Sequence, residues 1–185
     1  MDYMNKEFIS ILEDFKKKPT KEKVTQILKE FGVQSPEYWA EDEIKGNEAV
    51  LAAFRFLRPL QATLDKYLYD NERWVQHSIE RTSEQKNPNP EDVILREMIS
   101  AGISPEQIGL FAYWIARSAI NGVLYRLSDP CGGDYDLPNE GEGLPIWRLE
   151  EYIESYNERT FNVERTGRPL PELHNIFPFH NPGEK

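Results

Sequence analysis

Apolar side chains recur at intervals of three and four residues from residue 5 to about residue 128, which is the spacing of an α-helix. The first two segments carry their apolar faces at Phe8, Ile11, Leu12 and Phe15, and at Val24, Ile27, Leu28 and Phe31. Pro19 ends the first segment, Thr20 is placed as the N-cap of the second, and Gly32 occupies a position that a C-cap favours. The sequence therefore predicts two opening helices joined by a short connection.

The same pattern continues between residues 35 and 84. The motif SPEYW at 35–39 places a proline at the first position of a brief helix. The longest pattern runs from Asn47 to about Glu84 and contains Pro59, which lacks the N–H group that a helix interior uses. We therefore expect a kink or a break near Arg58.

The segment 105–128 has the broadest apolar face of the chain. Before it, a helix is predicted to begin after Asn89 and end at Gly102, and Ser104 and Gln107 then form a capping box. The apolar residues of the segment are Ile108, Phe111, Ala112, Ile115, Ala119, Ile120, Val123, Leu124 and Leu127. We expect this helix to be the most buried element, at the centre of the packing, because its small side chains also admit a close neighbour.

Turn-forming residues interrupt the helical pattern at 129–145. The stretch DPCGGDYDLPNEGEG at 129–143 contains four glycines, two prolines and five acids. Beyond it, WRLEEYIESY has helical spacing, but its start, GLPIW, offers no N-cap side chain, and TFNVE alternates as a strand does. Between a helix and a small β-hairpin across 146–165, the sequence favours the hairpin.

These patterns together predict a mainly α fold, a single-domain bundle of about five or six helices with an irregular C-terminal segment. Residues 1–128 are assigned to the helical bundle. Residues 129–185 are assigned to an acidic loop rich in glycine and proline and to a C-terminal segment that docks on the bundle. A chain of 185 residues fits one such domain.

The net charge restricts the expected partners. The chain has 22 Lys and Arg against 32 Asp and Glu, a formal net charge of -10. Such a charge repels phosphate backbones and anionic lipids, so nucleic acid and membrane surfaces are not expected partners, whereas a basic protein is. The N-terminus lacks the pattern of a secretory signal, and the single Cys131 permits no internal disulfide, so we expect a cytoplasmic protein.

The sequence contains no recognisable catalytic or metal-binding motif. A calcium loop counted from Asp134 would place Pro138 and Pro145 where oxygen ligands are required. Cys131 has no recognisable base as a partner, and the three histidines form no zinc motif. The glycines lack the spacing of a phosphate-binding loop. The sequence therefore predicts no catalytic residue, no metal and no cofactor.

Polar residues on and after the 105–128 helix are the first binding candidates. Arg117, Asn121 and Tyr125 lie on this helix, and the carboxylates that follow it are Asp134, Asp136, Glu140 and Glu142. An arginine in such a place clamps a carboxylate ligand or, more commonly, forms a structural ion pair. These residues define an alternative function, a small-ligand binder or enzyme with its pocket between the 105–128 helix and the 129–145 loop.

Aromatic residues are the second binding candidates. Tyr69, Trp74, Tyr113 and Trp114 are candidate interface anchors, because exposed aromatic side chains beside acids are typical of protein-binding surfaces. Packing beneath the C-terminal segment is the other interpretation. With the charge, these residues predict an acidic protein-interaction module, such as an immunity protein or an antitoxin, that binds a basic partner. An enzyme is the less favoured prediction.

Overall fold

The computed structural model describes residues 19–84, 89–128, 147–157 and 160–180. In these residues the chain forms seven helices and a two-stranded antiparallel sheet. The elements are α1 (Lys21–Glu30), α2 (Pro36–Lys45), α3 (Val50–Tyr69), α4 (Asn71–Glu84), α5 (Pro90–Ser100), α6 (Pro105–Ser128), β1 (Glu150–Asn157), β2 (Thr160–Pro169) and α7 (Leu173–Ile176). The mainly α fold and the hairpin are confirmed. The amphipathic segment that contains Phe8 lies outside the described residues.

Caps that the sequence predicted define several helix ends. At α1, the Thr20 hydroxyl accepts a hydrogen bond from the Lys23 N–H at 3.4 Å. At α6, the Ser104 N–H donates to the side-chain oxygen of Gln107 at 3.0 Å, and the Gln107 N–H donates to the Ser104 hydroxyl at 3.3 Å. The capping box at Ser104 is therefore confirmed.

Pro59 lies inside α3 and does not end it. The helix continues to Tyr69, and the Thr63 hydroxyl donates to the carbonyl oxygen of Pro59 at 3.0 Å. The break occurs at Asp70, between α3 and α4, where the side-chain amide of Asn71 donates to the carbonyl oxygen of Leu68 at 2.9 Å. A break near Arg58 is therefore not observed, because the apolar face continues on both sides of the proline and outweighs one missing N–H group.

The described residues divide into two compact units. The hairpin unit contains the residues up to Arg58 and those from Gly122 onward. In its core, the Phe54 ring contacts the rings of Trp39 and Phe179 edge to face, with centroid distances of 5.4 and 5.5 Å. The prediction of a single domain stays a prediction.

The middle unit is Pro59–Asn121. Its apolar core includes Val75, Leu95 and Ile108. Beside this core, the buried carboxylate of Asp92 accepts hydrogen bonds from the Arg81 guanidinium at 2.8 and 3.1 Å. The hydrogen bonds from Arg81 hold the pKa of Asp92 below its usual range, against the effect of burial. This ion pair joins α4 to α5.

The prediction that the 105–128 helix is the most buried element is wrong. Ile108 and Tyr113 are buried, but Phe111, Ile115 and Val123 are each more than half exposed. The physical reason lies in the sequence of α6, whose apolar residues occupy nearly the whole circumference of the helix. An apolar pattern of this kind does not determine which side packs against the core and which side faces solvent.

Candidate functional site

The β-hairpin presents apolar side chains on both of its faces. Directly paired residues of an antiparallel ladder share a face, so the pairs Tyr152 with Arg165 and Glu154 with Val163 lie on one face. Phe161 follows on the same face, two residues before Val163. Ile153 pairs with Glu164 on the opposite face. The two strands form a ribbon whose sheet contains no third strand among the described residues.

The apolar side chains of the hairpin are well exposed. Tyr152, Ile153, Phe161 and Val163 each expose between 49% and 56% of their surface. We call these four residues the hairpin anchors. Two acids accompany them, since Glu154 and Glu164 are also exposed, and neither has an ion-pair partner among the residues that the structure describes. Within the described residues, the ribbon therefore combines apolar area with the negative charge of two acids that form no ion pair.

The acids at the base of the hairpin have a different arrangement. Glu150 is nearly buried and is held by Arg165, whose Nη2 lies 2.7 Å from Oε1, and by Arg148 at 3.5 Å. The hydrogen bonds from Arg165 lower the pKa of Glu150 and raise the pKa of the arginine. The charges of Glu150, Arg148 and Arg165 are therefore paired with one another within the fold.

Arg168 joins the hairpin base to the helices of its own unit. Its guanidinium contacts the buried carboxylate of Glu43 at 2.8 Å and that of Glu151 at 3.3 Å, and it donates to the carbonyl oxygen of Glu48. The other oxygen of Glu43 accepts the N–H of Leu51 in the first turn of α3 at 2.9 Å. Glu43 and Arg168 therefore form a clasp that fixes the ribbon to α2 and α3.

A cavity of about 250 Å³ lies next to the hairpin base. It is lined by Leu127, Ser128, Trp147, Arg148, Leu149, Pro169, Leu170 and Pro171. The polar groups of this lining are already engaged, since the Ser128 hydroxyl accepts the Leu173 N–H at 2.9 Å and Arg148 contacts Glu150. A ligand site normally directs several convergent polar groups into its cavity, so this one gives little support to a small-ligand function.

The three α6 residues that were predicted to line a pocket lie in different environments. Arg117 lies over the Trp114 ring, with its guanidinium carbon 5.0 Å from the centroid. The side-chain oxygen of Asn121 is buried and has no hydrogen-bond partner among the described residues. Tyr125 belongs to the hairpin unit and packs edge to face on His174 at 5.1 Å. The four loop acids, Asp134, Asp136, Glu140 and Glu142, lie outside the described residues.

The predicted aromatic anchors differ in exposure. Tyr69 and Trp114 are 45% and 52% exposed, whereas Trp74 is half-buried and contacts Tyr67 edge to face at 5.2 Å. Tyr113 is buried, and its hydroxyl has no hydrogen-bond partner among the described residues. Burial raises the pKa of this phenol, and the neighbouring Arg117 offsets only part of the rise. Tyr69 and Trp114 are thus accessible to a partner, and Tyr113 is not.

Sequence reasoning did not identify the hairpin anchors or the clasp. The alternation in TFNVE predicted a strand, and alternation ordinarily implies that one face is buried. The link between Glu43 and Arg168 spans 125 positions, and neither residue has a local motif that points to the other. The available signal was the high density of aromatic and β-branched residues in a segment that also contains many acids.

The described part of the chain shows no metal cluster and no membrane-spanning helix. It contains no group of three or more metal-binding side chains close enough to hold a metal ion, and none of its helices has the length and apolarity needed to span a membrane. Cys131 lies outside the described residues. Comparison of the sequence and the fold with protein-family models, curated proteins and solved structures found no match.

Proposed function

We propose that this protein is an acidic interaction module that binds a basic protein partner, and that the β-hairpin is its docking surface. One observation supports the proposal: the exposed hairpin anchors share a ribbon with Glu154 and Glu164, two acids without ion-pair partners among the described residues. Buried aromatic and aliphatic anchors supply most of the affinity of an interface, while charges at the rim accelerate and orient the encounter.

The charge of the whole chain favours the same class of partner. The net charge is -10, and five acids fall within residues 129–143, shortly before the hairpin in the sequence. A field of this sign raises the rate of association with a basic protein and disfavours acidic partners. The most specific form of the proposal is an immunity protein or antitoxin that occupies a basic toxin in the cytoplasm.

The experiment begins with capture of partners by the immobilised protein at low salt and their identification by mass spectrometry. The affinity of the purified partner is then measured for the parent and for the double variant Tyr152→Ser with Phe161→Ser. Both side chains are exposed, so the variant should fold normally. Loss of two interface anchors is expected to weaken binding by at least about thirtyfold.

The matched control is Tyr38→Ser, because Tyr38 lies in the same unit outside the hairpin and is 62% exposed. This variant should bind as the parent does. Equal affinity of the hairpin variant and the control would contradict the assigned surface. A captured partner that is acidic, or one whose binding does not weaken as salt is raised, would contradict the proposed function itself.

A further inference from the structure

A second exposed apolar surface lies on α6, within the middle unit. Leu110, Phe111, Trp114 and Ile115 are between 48% and 64% exposed, although these residues belong to the same helix as the buried Ile108 and Tyr113. We call these four residues the α6 patch. Residues four apart are neighbours on a helix surface, so 110 with 114 and 111 with 115 form two adjacent rows along it.

The size of the α6 patch is compatible with a weak symmetric interface. A large aromatic side chain contributes about 150–250 Å² when it is fully exposed, so four half-exposed apolar residues contribute roughly 400 Å². Patches of about 300–600 Å² on a monomer are often functional. The same patch on two copies would bury about 800 Å², less than the roughly 1,000 Å² that a stable specific interface exceeds, so we expect a weak and reversible dimer.

The charge of this face selects a second copy over a basic partner. Between Gln107 and Ser128, α6 contains no acid and two arginines, Arg117 and Arg126, in a chain whose net charge is -10. A basic protein would therefore find only one opposite charge on this helix, Glu106 in its first turn. Two copies that meet here bring no acid of one helix against an acid of the other, and Arg117 already lies over the Trp114 ring.

The order of large and small residues makes the face complementary to itself. The two rows continue to Ser118 and Ala119, which are also exposed. If two α6 helices pack antiparallel about an axis between Trp114 and Ile115, positions equidistant from the axis face each other. Leu110 and Phe111 of each copy then lie opposite the small pair, Ala119 and Ser118, of the other. An interface with two-fold symmetry requires self-complementarity of this kind.

We propose that two copies of this chain associate through the α6 patch, as an antiparallel pair of α6 helices. This association does not rest on the proposed binding of a basic partner and uses residues of the other unit. The affinity of the dimer should also depend on salt in the opposite way to the affinity for a basic partner. Two chains that each carry a net charge of -10 repel one another, so added salt should strengthen the dimer, whereas it should weaken an acidic-to-basic complex.

Sedimentation-velocity ultracentrifugation of the full chain over a wide concentration range tests the proposal. The parent is expected to form a reversible dimer, and Ile115→Glu should raise its dissociation constant at least about tenfold, since it places two carboxylates beside the axis. Ile94→Glu is the matched control, because Ile94 is 55% exposed on α5, in the same unit. The control should dimerise as the parent does.

A mixing experiment distinguishes loss of the interface from misfolding of the variant. Ile115→Glu and Ile115→Lys should each be monomeric alone, yet an equimolar mixture should form a heterodimer, because opposite charges then meet beside the axis. A parent that stays monomeric at every concentration and salt level overturns the proposal. A dimer that Ile115→Glu leaves intact, or a mixture that stays monomeric, overturns the assigned face.

Discussion

The hairpin and the α6 patch expose similar apolar side chains to a similar degree, and they differ in charge. The hairpin anchors lie beside Glu154 and Glu164, whereas no acid occurs on α6 after Glu106. Apolar area alone therefore predicts that both surfaces are interfaces but does not distinguish their partners. The charges at the rim make that distinction, because they favour a basic protein at the hairpin and a second copy of the chain at α6.

The two surfaces also differ in what holds them in place. The hairpin is a two-stranded ribbon, which has little stability of its own, and it is fixed through the buried contact between Glu43 and Arg168. The α6 patch belongs to a long helix whose other side packs in the core of the middle unit through Ile108. The hairpin should therefore be sensitive to the loss of one ion pair, and the α6 patch to the packing of its helix.

The largest effect is expected from Arg168→Met. This change leaves the carboxylate of Glu43 buried without its counter-charge, and breaking a buried pair from one side costs about 3 kcal/mol or more. Urea denaturation followed by far-UV circular dichroism and tryptophan fluorescence should show a loss of this size. Affinity for the basic partner should fall as well, while dimerisation through α6 should persist under conditions where the variant is folded.

Two controls sharpen the result for the clasp. Arg148→Met removes an exposed arginine whose ion pair spans 3.5 Å, and it should change the free energy of unfolding by no more than about 0.5 kcal/mol. Arg168→Met combined with Glu43→Gln removes both charges and should recover much of the loss, since Gln still accepts the Leu51 N–H. If Arg168→Met were as stable as the parent, the clasp would not hold the hairpin.

A smaller loss is expected from Gly109→Ala in α6. A Cβ atom at this position would overlap the carbonyl oxygen of Tyr67 and lie 2.7 Å from the Cβ of Asn71, so the helices would have to separate. The cost should be about 2 kcal/mol, as for other overpacked sites. Gly122→Ala is the control, because among the described residues no atom beyond its own turn of the helix lies within 4 Å of its new Cβ, and it should stabilise the helix by about 0.5–1 kcal/mol. Equal stabilities of these two variants would contradict the close packing at Gly109.

Local sequence patterns predicted most of the fold, but they did not predict contacts between residues far apart in the sequence. Thr20, Ser104 and Gln107 define helix starts because capping is a contact between residues three apart, which a sequence displays directly. The burial of α6 was predicted wrongly because a helix that is apolar nearly all round leaves the choice of its core-facing side to tertiary packing. The break predicted near Arg58 is not observed for a similar reason, since packing compensated for one lost hydrogen bond, and the alternative of a kink there stays a prediction.

The candidate site was only partly accessible from the sequence. Trp114 and Tyr69 were identified from their type and prove to be exposed, but Tyr113, next to Trp114, points into the protein. Neighbouring residues on a helix face directions about 100° apart, so residue type alone cannot show which of the two is exposed. The hairpin anchors were missed because their exposure depends on which residues of their unit pack against the ribbon, and a local pattern does not show such tertiary contacts.

The smallest effect, and the most direct test of the charge difference, is expected from Glu154→Gln with Glu164→Gln. Each exposed acid should contribute roughly 0.2–1 kcal/mol to binding of a basic partner, so the pair should weaken affinity about fivefold at low salt, mainly through slower association. Glu72→Gln with Glu97→Gln alters the net charge equally but on exposed residues of the middle unit, and it should have a smaller effect on binding. Neither pair should weaken the α6 dimer. Equal weakening by both pairs, measured by surface plasmon resonance at several salt concentrations, would mean that the total charge of the chain attracts the partner and that the acids of the hairpin have no special role.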